Sequence, residues 1–223
     1  MHTLPVKLFS VLSLLLFVGQ SSVPVGEEPR HHIKFENKYV RVIDAVIAPG
    51  DTTLFHTHSR DNVPICINGG KLRTEVMGGQ TADSTAETGR VTFAKASYTH
   101  RITNMNTTTV RFIDAEVIGS PESTASPSSL GDVPDHTLVF ENDRVRAYRL
   151  IIEPGQSTGL HNHALSFLNV AVSPGKLVLE QPGKRDETMD LQPGTFAWHE
   201  GPLRHSLKNA GATRFEAIDI EWK

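Results

Sequence analysis

The stretch Phe35-Glu36-Asn37-x-x-Val40-Arg41 decides how this chain is organised, because it occurs twice. It returns 105 positions later as Phe140-Glu141-Asn142-x-x-Val145-Arg146. The same offset, without a gap, repeats Pro29, His31, Pro49-Gly50, His56, His58, Gly70-Lys71-Leu72, Glu75, Gly89, His100 and Asn104. Chance does not align so many Gly, Pro and His positions at one offset. The chain is therefore predicted to consist of two copies of a unit of about 90 to 100 residues.

Each copy is made of short segments that alternate polar with apolar residues and that end at Gly, Pro or Asn. Residues 109–113 and 176–180 are examples, and both contain β-branched or other strand-forming residues. No capped helical window of ten or more residues is evident after the first twenty positions. Strands at a spacing of about 8 to 12 residues, with turn signals between them, predict an all-β sandwich or barrel in each copy.

The copies are separated by residues 119–133, a stretch rich in Pro, Ser and Gly with almost nothing to bury. Such a composition is typical of a solvent-exposed linker. The predicted domains are therefore residues 29–118 and 134–223.

The N-terminus has the pattern of a secretory signal peptide. Lys7 supplies a positive charge, an apolar run follows from Leu8 to Val18, and small polar residues come next. The run is shorter than the ~20 apolar residues of a membrane span. We expect residues 1–25 to be removed, leaving a secreted or periplasmic protein with no membrane segment. The alternative is a buried helix or an uncleaved anchor.

The composition excludes several function classes. The 22 Lys+Arg and 25 Asp+Glu give a net charge of −3, and no basic run is interleaved with aromatic residues, so nucleic acid is not an expected partner. Cys66 is the only cysteine, which excludes an intramolecular disulfide and a Cys-rich zinc site. Metal chemistry would have to use carboxylates or the 11 histidines.

The histidines fall in a pattern that predicts metal binding. His56-Thr57-His58 and His161-Asn162-His163 each place two imidazoles on one face of a strand, because strand side chains alternate with period two. A third histidine, His100 or His205, follows the first of each pair by 44 positions. Three imidazoles on one side of a metal leave its other positions open, as in reactive sites. A lone histidine is more often hydrogen-bonded or solvated, but an identical repeated triplet favours ligation. The predicted metal ligands are His56, His58, His100, His161, His163 and His205.

With these residues the chain resembles the bicupins, which contain two cupin domains. The cupin motifs are G-x5-H-x-H-x3,4-E-x6-G and G-x5-P-x-G-x2-H-x3-N. The matching positions are Gly50, His56, His58, Gly70, Gly89, His100 and Asn104 in copy one, and Gly155, His161, His163, Gly175, Gly194, His205 and Asn209 in copy two. The resemblance covers about residues 33–223. It implies two tandem jelly-roll β-barrels, each with a divalent metal ion inside.

The sequence departs from the motif in one chemically important place. The expected glutamate is absent: the aligned position is Asn62 or Val63 in copy one and Phe167 or Leu168 in copy two. Three-His cupins resemble the thiol dioxygenases, which use iron, whereas other cupins use manganese, nickel, cobalt or zinc. Imidazole ligands alone do not choose among Fe, Mn, Zn and Ni.

A few other residues are weaker candidates. Glu75 and Glu180 recur at the offset and could replace the missing carboxylate, although a solvated glutamate is the commoner case. His199 has no counterpart in copy one and could act as an acid or base near the second metal, although exposure at the rim is commoner. Cys66 is expected to be a small buried residue.

The predicted function is that of an exported metal-binding bicupin, either a metal-dependent dioxygenase or isomerase that acts on a small polar molecule. The alternatives are a non-catalytic module that binds a sugar, a small acid or a metal, and a storage or structural bicupin. A small-molecule ligand is the expected partner, and because cupins commonly dimerise, a homodimer is expected. Since protons compete with metal for imidazole, metal affinity is expected to fall below the ordinary His pKa of about 6.5.

Overall fold

The computed structural model describes residues 21–121 and 130–223, and these residues form β-strands and two short 3-10 helices. Residues 1–20 of the predicted signal peptide and residues 122–129 of the predicted linker lie outside the described residues. The N-terminal domain contains β1 (Val23–Pro24), η1 (Val25–Glu27), β2 (His31–Glu36), β3 (Val40–Ile47), β4 (His56–His58), β5 (Asn62–Asn68), β6 (Gly70–Val76), β7 (Thr81–Ala86), β8 (Tyr98–Asn104) and β9 (Val110–Val117). The C-terminal domain contains η2 (Leu130–Asp132), β10 (His136–Glu141), β11 (Val145–Ile152), β12 (His161–His163), β13 (Phe167–Ala171), β14 (Gly175–Glu180), β15 (Glu187–Leu191), β16 (Phe196–His199), β17 (Leu203–Asn209) and β18 (Phe215–Trp222).

Each domain is built from two sheets. In the N-terminal domain the strand orders are β1-β4-β8-β6-β7 and β2-β3-β9-β5. In the C-terminal domain they are β12-β17-β14-β15 and β10-β11-β18-β13-β16. Two tandem all-β domains of the jelly-roll type, as predicted, are confirmed.

The central strands have apolar residues on both faces, and the two faces pack against different parts of the protein. On β3, Val40 and Val42 are fully buried in a core shared by the two domains. Ala45 and Ile47, which point the other way because side chains alternate, line a cavity inside the N-terminal barrel. In each domain, one sheet therefore has two packed faces. One face lines the interior of its own barrel, and the opposite face packs against the other domain.

The shared core joins the domains into one packed unit. It is formed by Val40, Val42, Val63, Ile65, Ile67, Val91, Ile113, Ala115 and Val117 from the first domain and by Val145, Ala147, Leu168, Val170, Val172, Ile218, Ile220 and Trp222 from the second. Tyr39 also stacks on Trp198 across the boundary, with ring centroids 6.0 Å apart. A contiguous apolar face of this kind is rarely left open on a soluble domain.

Two arginine–carboxylate pairs lie at equivalent places in the two domains. The arginine and the acidic residue have exchanged positions between the two copies. Arg111 pairs with Asp44 at 2.8 Å in the first domain, whereas the positions 105 residues later hold Glu216 and Arg149, which also pair. Arg111 donates to the carbonyl of Pro193 across the interface, at 2.8 Å. Arg149 donates to the carbonyl of Gly89 at the same distance. The interface therefore has approximate twofold symmetry.

The repeat begins earlier than the predicted domain limits. Helices η1 and η2 lie at the 105-residue offset, and Val25 and Leu130 in them are buried. Strand β1 also pairs in parallel with β4. Residues 23–25 of the predicted signal peptide and residues 130–132 of the predicted linker thus belong to folded domains. A removed leader that leaves the fold intact would end before Val23. In residues 21–121 and 130–223, no helix is long and apolar enough to cross a membrane.

Candidate metal centres

The first histidine cluster is assembled by the pairing of β4 with β8. In this antiparallel pair His56 lies directly opposite His100, which places both imidazoles on one face. Their Nε2 atoms are 3.0 Å apart. His58 shares that face because it lies two residues from His56 on the same strand, and its ring centroid is 5.1 Å from that of His56. The donor atoms of these three predicted residues all lie within 4.8 Å of one another.

The second cluster repeats this arrangement with a small difference. His161 lies opposite His205 in the β12 and β17 pair, with ring centroids 4.5 Å apart, and the Nε2 atoms of His161 and His163 are 3.3 Å apart. The three donor atoms that lie within 4.8 Å of one another here belong to His136, His161 and His163. The predicted third member, His205, adjoins them with its ring 5.1 Å from that of His163.

A fourth imidazole, which the sequence analysis did not assign, belongs to each cluster. The ring centroid of His31 is 4.5 Å from that of His56, and the centroid of His136 is 5.1 Å from that of His161. Both are buried and begin equivalent strands, β2 and β10. The signal was visible in the sequence, since these two histidines recur at the 105-residue offset.

Backbone carbonyls fix the orientation of the first ring in each cluster. The Nδ1 atom of His56 is 3.0 Å from the carbonyl oxygen of Leu54, and Nδ1 of His161 is 3.0 Å from that of Gly159. A carbonyl only accepts, so Nδ1 carries the proton and Nε2 keeps its lone pair for a cation.

A buried carboxylate lies near the second ring of each cluster. Asp114 Oδ2 is 3.5 Å from His58 Nδ1, and Glu221 Oε1 is 3.5 Å from His163 Nδ1. Asn62, at the aligned position of the missing motif glutamate, donates to Asp114 at 2.7 Å. At 3.5 Å these are charge contacts rather than hydrogen bonds, and Nδ1 of both rings has no hydrogen-bond partner.

The fourth imidazoles have different partners in the two domains. His31 Nδ1 is 2.6 Å from Glu28 Oε2, and the pKa of Glu28 is lowered to about 2 because hydrogen bonds from His31 and two backbone N–H groups outweigh its burial. His136 Nε2 lies 3.4 Å from Asp219 Oδ2. Burial alone would lower the pKa of His136, but hydrogen bonding to Asp219 and its negative charge raise it.

Burial makes most of the predicted ligands neutral at pH 7. It lowers the pKa of His56 and His161 to about 4, of His100 and His205 to about 3, and of His58 to about 2, with further lowering by neighbouring imidazoles. Since neutral imidazole is the form that binds a metal, these rings do not need to lose a proton at pH 5 or above. Their burial therefore changes the pH range in which protons would compete with metal.

The spacing of the donors suits a divalent cation. Two nitrogens that are each ~2.1 Å from one ion, at an angle of about 90° to 105°, are ~3.0 to 3.3 Å apart. This matches the Nε2 separations of 3.0 Å in the first cluster and 3.3 Å in the second. Several ring nitrogens in the described residues are also buried without a hydrogen-bond partner, including both nitrogens of His205. Such atoms are costly unless something binds them.

Both clusters open into cavities inside their barrels. The C-terminal cavity has a volume of about 350 Å³ and is lined by His136, His161 and His205 together with mostly apolar side chains. The N-terminal cavity that reaches His58 and His100 measures about 170 Å³.

The weaker site candidates from the sequence are Glu75, Glu180, Cys66 and His199. Glu75 forms an ion pair with Arg101 at 2.7 Å, and Glu180 accepts a hydrogen bond from Ser206, so both have partners other than the predicted ligands. Cys66 is buried, and burial raises its pKa to about 11. His199 is half-buried, lines the C-terminal cavity and stacks on Phe167, with ring centroids 4.6 Å apart.

Comparisons with known proteins agree with this architecture. No protein-family model matches the chain, and no curated protein matches it. Among solved structures, a cupin domain from Bordetella pertussis Tohama I is 30% identical over 40% of this chain and 91% of its own, with a TM-score of 0.38. A salicylate 1,2-dioxygenase from Pseudaminobacter salicylatoxidans is 16% identical, covers 89% of this chain and 78% of its own, and has a TM-score of 0.60. A point variant of oxalate decarboxylase from Bacillus subtilis is 12% identical, covers 83% of this chain and 69% of its own, and has a TM-score of 0.59.

The chain has the bicupin fold. The two larger neighbours share this fold over most of the length of the chain. Within this bicupin the interior of each barrel, where the histidines meet, is the candidate functional site.

Proposed function

We propose that this bicupin is an exported protein that binds one divalent cation in each histidine cluster and catalyses a metal-dependent dioxygenase reaction on a small molecule. The observation that carries the proposal is the Nε2 separation of 3.0 Å between His56 and His100, with the equivalent convergence around His161. Two neutral imidazoles at this distance can share one hydrogen bond, but that bond does not account for a third buried donor within 4.8 Å, which a shared cation would satisfy.

The ligands in the first cluster would be His56, His58 and His100, and those in the second would be His161, His163 and His205. His31 and His136 are placed to act as a fourth donor. Because imidazoles are neutral, they leave the charge of the cation uncompensated, and an anionic group of a substrate can supply the compensation. A bound cation would supply a Lewis acid with coordination positions left open by the imidazoles.

The chain's own groups have separate tasks in this proposal. The carbonyls of Leu54 and Gly159 hold the tautomer of the first ring in each cluster. Asp114 and Glu221 place a carboxylate 3.5 Å from Nδ1 of the second ring. In the second barrel, half-buried His199 lines the cavity as a proton acceptor, and burial lowers its pKa.

The solved neighbours supply the reaction class. One is a salicylate 1,2-dioxygenase, a variant of which was solved in complex with gentisate, and another is an oxalate decarboxylase, for which Mn(II) centres are described. At 12% to 16% identity these neighbours share the fold, and their chemistry comes to this chain only as a hypothesis. Iron and manganese are accordingly the first cations to test.

The activity test uses the tag-free chain loaded with Fe(II) and an oxygen electrode. Salicylate, gentisate and oxalate are the compounds to supply first. Oxygen uptake that depends on Fe(II) and is lost in His161→Ala supports a dioxygenase. Substrate binding without turnover on either the iron or the manganese form would instead identify a non-catalytic binding module.

A second role is favoured for the N-terminal barrel, because its metal-facing cavity is only about half as large as the C-terminal one. We propose that its cation site binds metal without taking part in turnover. The export part of the proposal rests on the N-terminal apolar run, and mass spectrometry of the protein recovered from the periplasm or medium would test it. Loss of about the first 20 residues is expected, whereas an intact N-terminus in the cytoplasm would contradict export.

A further inference from the structure

We propose that the two barrels have divided their tasks, and that only the C-terminal barrel admits an amphipathic small molecule with a body the size of a substituted aromatic ring. This inference rests on the proposed function, because the histidine cluster would bind the polar end of the ligand. The deciding difference is one residue, Phe112 in the first barrel against Ala217 in the second.

Phe112 divides the interior of the first barrel. The cavity of about 170 Å³ that reaches His58 is lined by Pro64 and Phe112, and so is a second cavity of about 160 Å³ that reaches Cys66 and Arg90. A side chain that lines both cavities lies between them. The N-terminal barrel is therefore partitioned into two small spaces, and only one of them contacts the histidines.

In the C-terminal barrel the position of Phe112 is taken by Ala217. Phe215 and Asp219 on β18 both line one cavity of about 350 Å³, and Ala217 lies between them on the same face of the strand. Its methyl group is too short to divide the space. The combined volume of the two N-terminal cavities is thus close to that of the undivided C-terminal one.

The wall of this cavity differs from its N-terminal counterpart in polarity. Leu179, Met189 and Leu191 line it from β14 and β15. The positions 105 residues earlier are Thr74, Ser84 and Ala86. An apolar wall with a few convergent polar groups is typical of small-molecule sites.

The polar groups lie at two places along the cavity. The imidazoles of His136, His161 and His205 provide one polar region, and exposed Lys184 with Gln181 provides another. His199, where the first copy has Ala94, adds a further imidazole that is present in this barrel alone. The apolar stretch would hold the body of the ligand, and the imidazole cluster would bind its polar or anionic end.

The volume sets the size of that body. An apolar cavity of ~150 Å³ is enough to hold benzene. About 350 Å³ therefore accommodates a ring with substituents. The sequence predicts a small polar molecule, whereas the apolar wall favours one that is polar at one end only.

Calorimetry with benzoate tests this on two preparations of the full chain, one metal-free and one loaded with Zn²⁺. We expect one benzoate per chain on both, and no comparable binding of acetate, which lacks the ring. Benzoate that binds to neither preparation overturns the proposal. Two equivalents per chain, or equal binding of acetate, also overturn it, because they indicate capture by two cations rather than by one open barrel. A chain that binds no metal but still binds one benzoate would contradict the proposed function alone.

Matched variants locate the bound molecule. Met189→Trp fills the C-terminal cavity from its half-buried wall and is expected to weaken benzoate binding at least tenfold. Ser84→Trp, at the equivalent place in the first barrel, is expected to leave it unchanged. Ala217→Phe should have the effect of Met189→Trp, with circular dichroism as the check of folding. Equal affinity in wild type and a folded Met189→Trp, or a loss in Ser84→Trp, would overturn the assignment.

Discussion

His56 on β4 and His100 on β8 are paired residues of one antiparallel ladder, and their Nε2 atoms are 3.0 Å apart. His161 and His205 are paired in the same register in the second domain. Residues that are directly opposite in a ladder project to the same face. The 44 positions between the paired histidines therefore correspond to the chain between the two paired strands, β4 and β8 or β12 and β17.

Single histidine substitutions should remove metal from one domain at a time. His56→Ala and His161→Ala are each expected to lower the bound metal by up to one equivalent per chain while circular dichroism remains unchanged, because the core is apolar and does not depend on the cluster. His32→Ala is the control, since His32 is exposed on β2 next to His31. Wild-type metal content in both cluster variants would show that these histidines are not the ligands.

Glu28 should tune the first cluster only. Its carboxylate holds His31 at 2.6 Å, and the position 105 residues later is Val133, which cannot do the same. Glu28→Gln is expected to weaken metal binding in the N-terminal domain by about 10 to 100-fold. The affinity of the C-terminal domain, measured in the same titration, provides the internal control. An equal loss at both sites would mean that the substitution acts on overall stability instead.

The metal affinity of the first cluster should remain nearly constant from pH 8 to about pH 5. The sequence alone predicts a fall below the ordinary His pKa of about 6.5. Burial has lowered the pKa of His56, His58 and His100 to between about 2 and 4, so protons begin to compete only at lower pH. Calorimetric titration with Zn²⁺ across this range is the measurement. A steep decline that starts at pH 6.5 would indicate that the rings are solvated.

The stability of the metal-free protein should fall in acid. A histidine whose folded pKa is depressed binds fewer protons when folded than when unfolded, so its contribution is complete above about pH 6.5 and is lost as the pH falls toward the folded value. Each such ring changes the free energy of unfolding by up to ~1.4 kcal/mol per pH unit in this window. Asp114 acts in the opposite sense, because burial raises its pKa to about 6. Six rings have a lowered pKa, His199 being the sixth, whereas three groups, Asp114, Glu116 and His136, have a raised one. A net loss is therefore predicted, which urea unfolding at pH 7 and pH 5 would measure. Equal stability at the two pH values would contradict the buried clusters.

The two domains should unfold together. Trp222 from the second domain is buried in the shared core, and Trp222→Ala is expected to cost about 3 to 5 kcal/mol of the free energy of unfolding. Thermal unfolding of the wild type should show one cooperative transition. Two separate transitions, of which Trp222→Ala lowers only the second, would mean that the domains fold independently.

Much of the fold and of the site could be predicted from the sequence, because both depend on local periodicity and on the internal repeat. Period two puts His56 and His58 on one face whatever surrounds them. His31 and His136 were visible as a repeated pair, but their approach to the clusters depends on how β2 and β10 curve over β4 and β12, which no local pattern records.

The buried carboxylates near the histidines and the domain interface could not be predicted from the sequence, for a related reason. Asp114 and Asp219 recur at the offset, yet an acidic residue in an apolar strand gives no sign of whether it faces a barrel interior or solvent. The burial of Val42 on one face and Ile47 on the other also requires knowledge of two different neighbours. Tertiary packing supplies that information, and the alternation within a strand does not.

The most direct test of the central claim is the metal content of tag-free protein, measured by inductively coupled plasma mass spectrometry after purification without chelators and repeated after reconstitution with Mn(II) or Fe(II). The account predicts two equivalents of divalent metal per reconstituted chain, and one in His161→Ala. A reconstituted wild-type chain that holds no stoichiometric metal would contradict it.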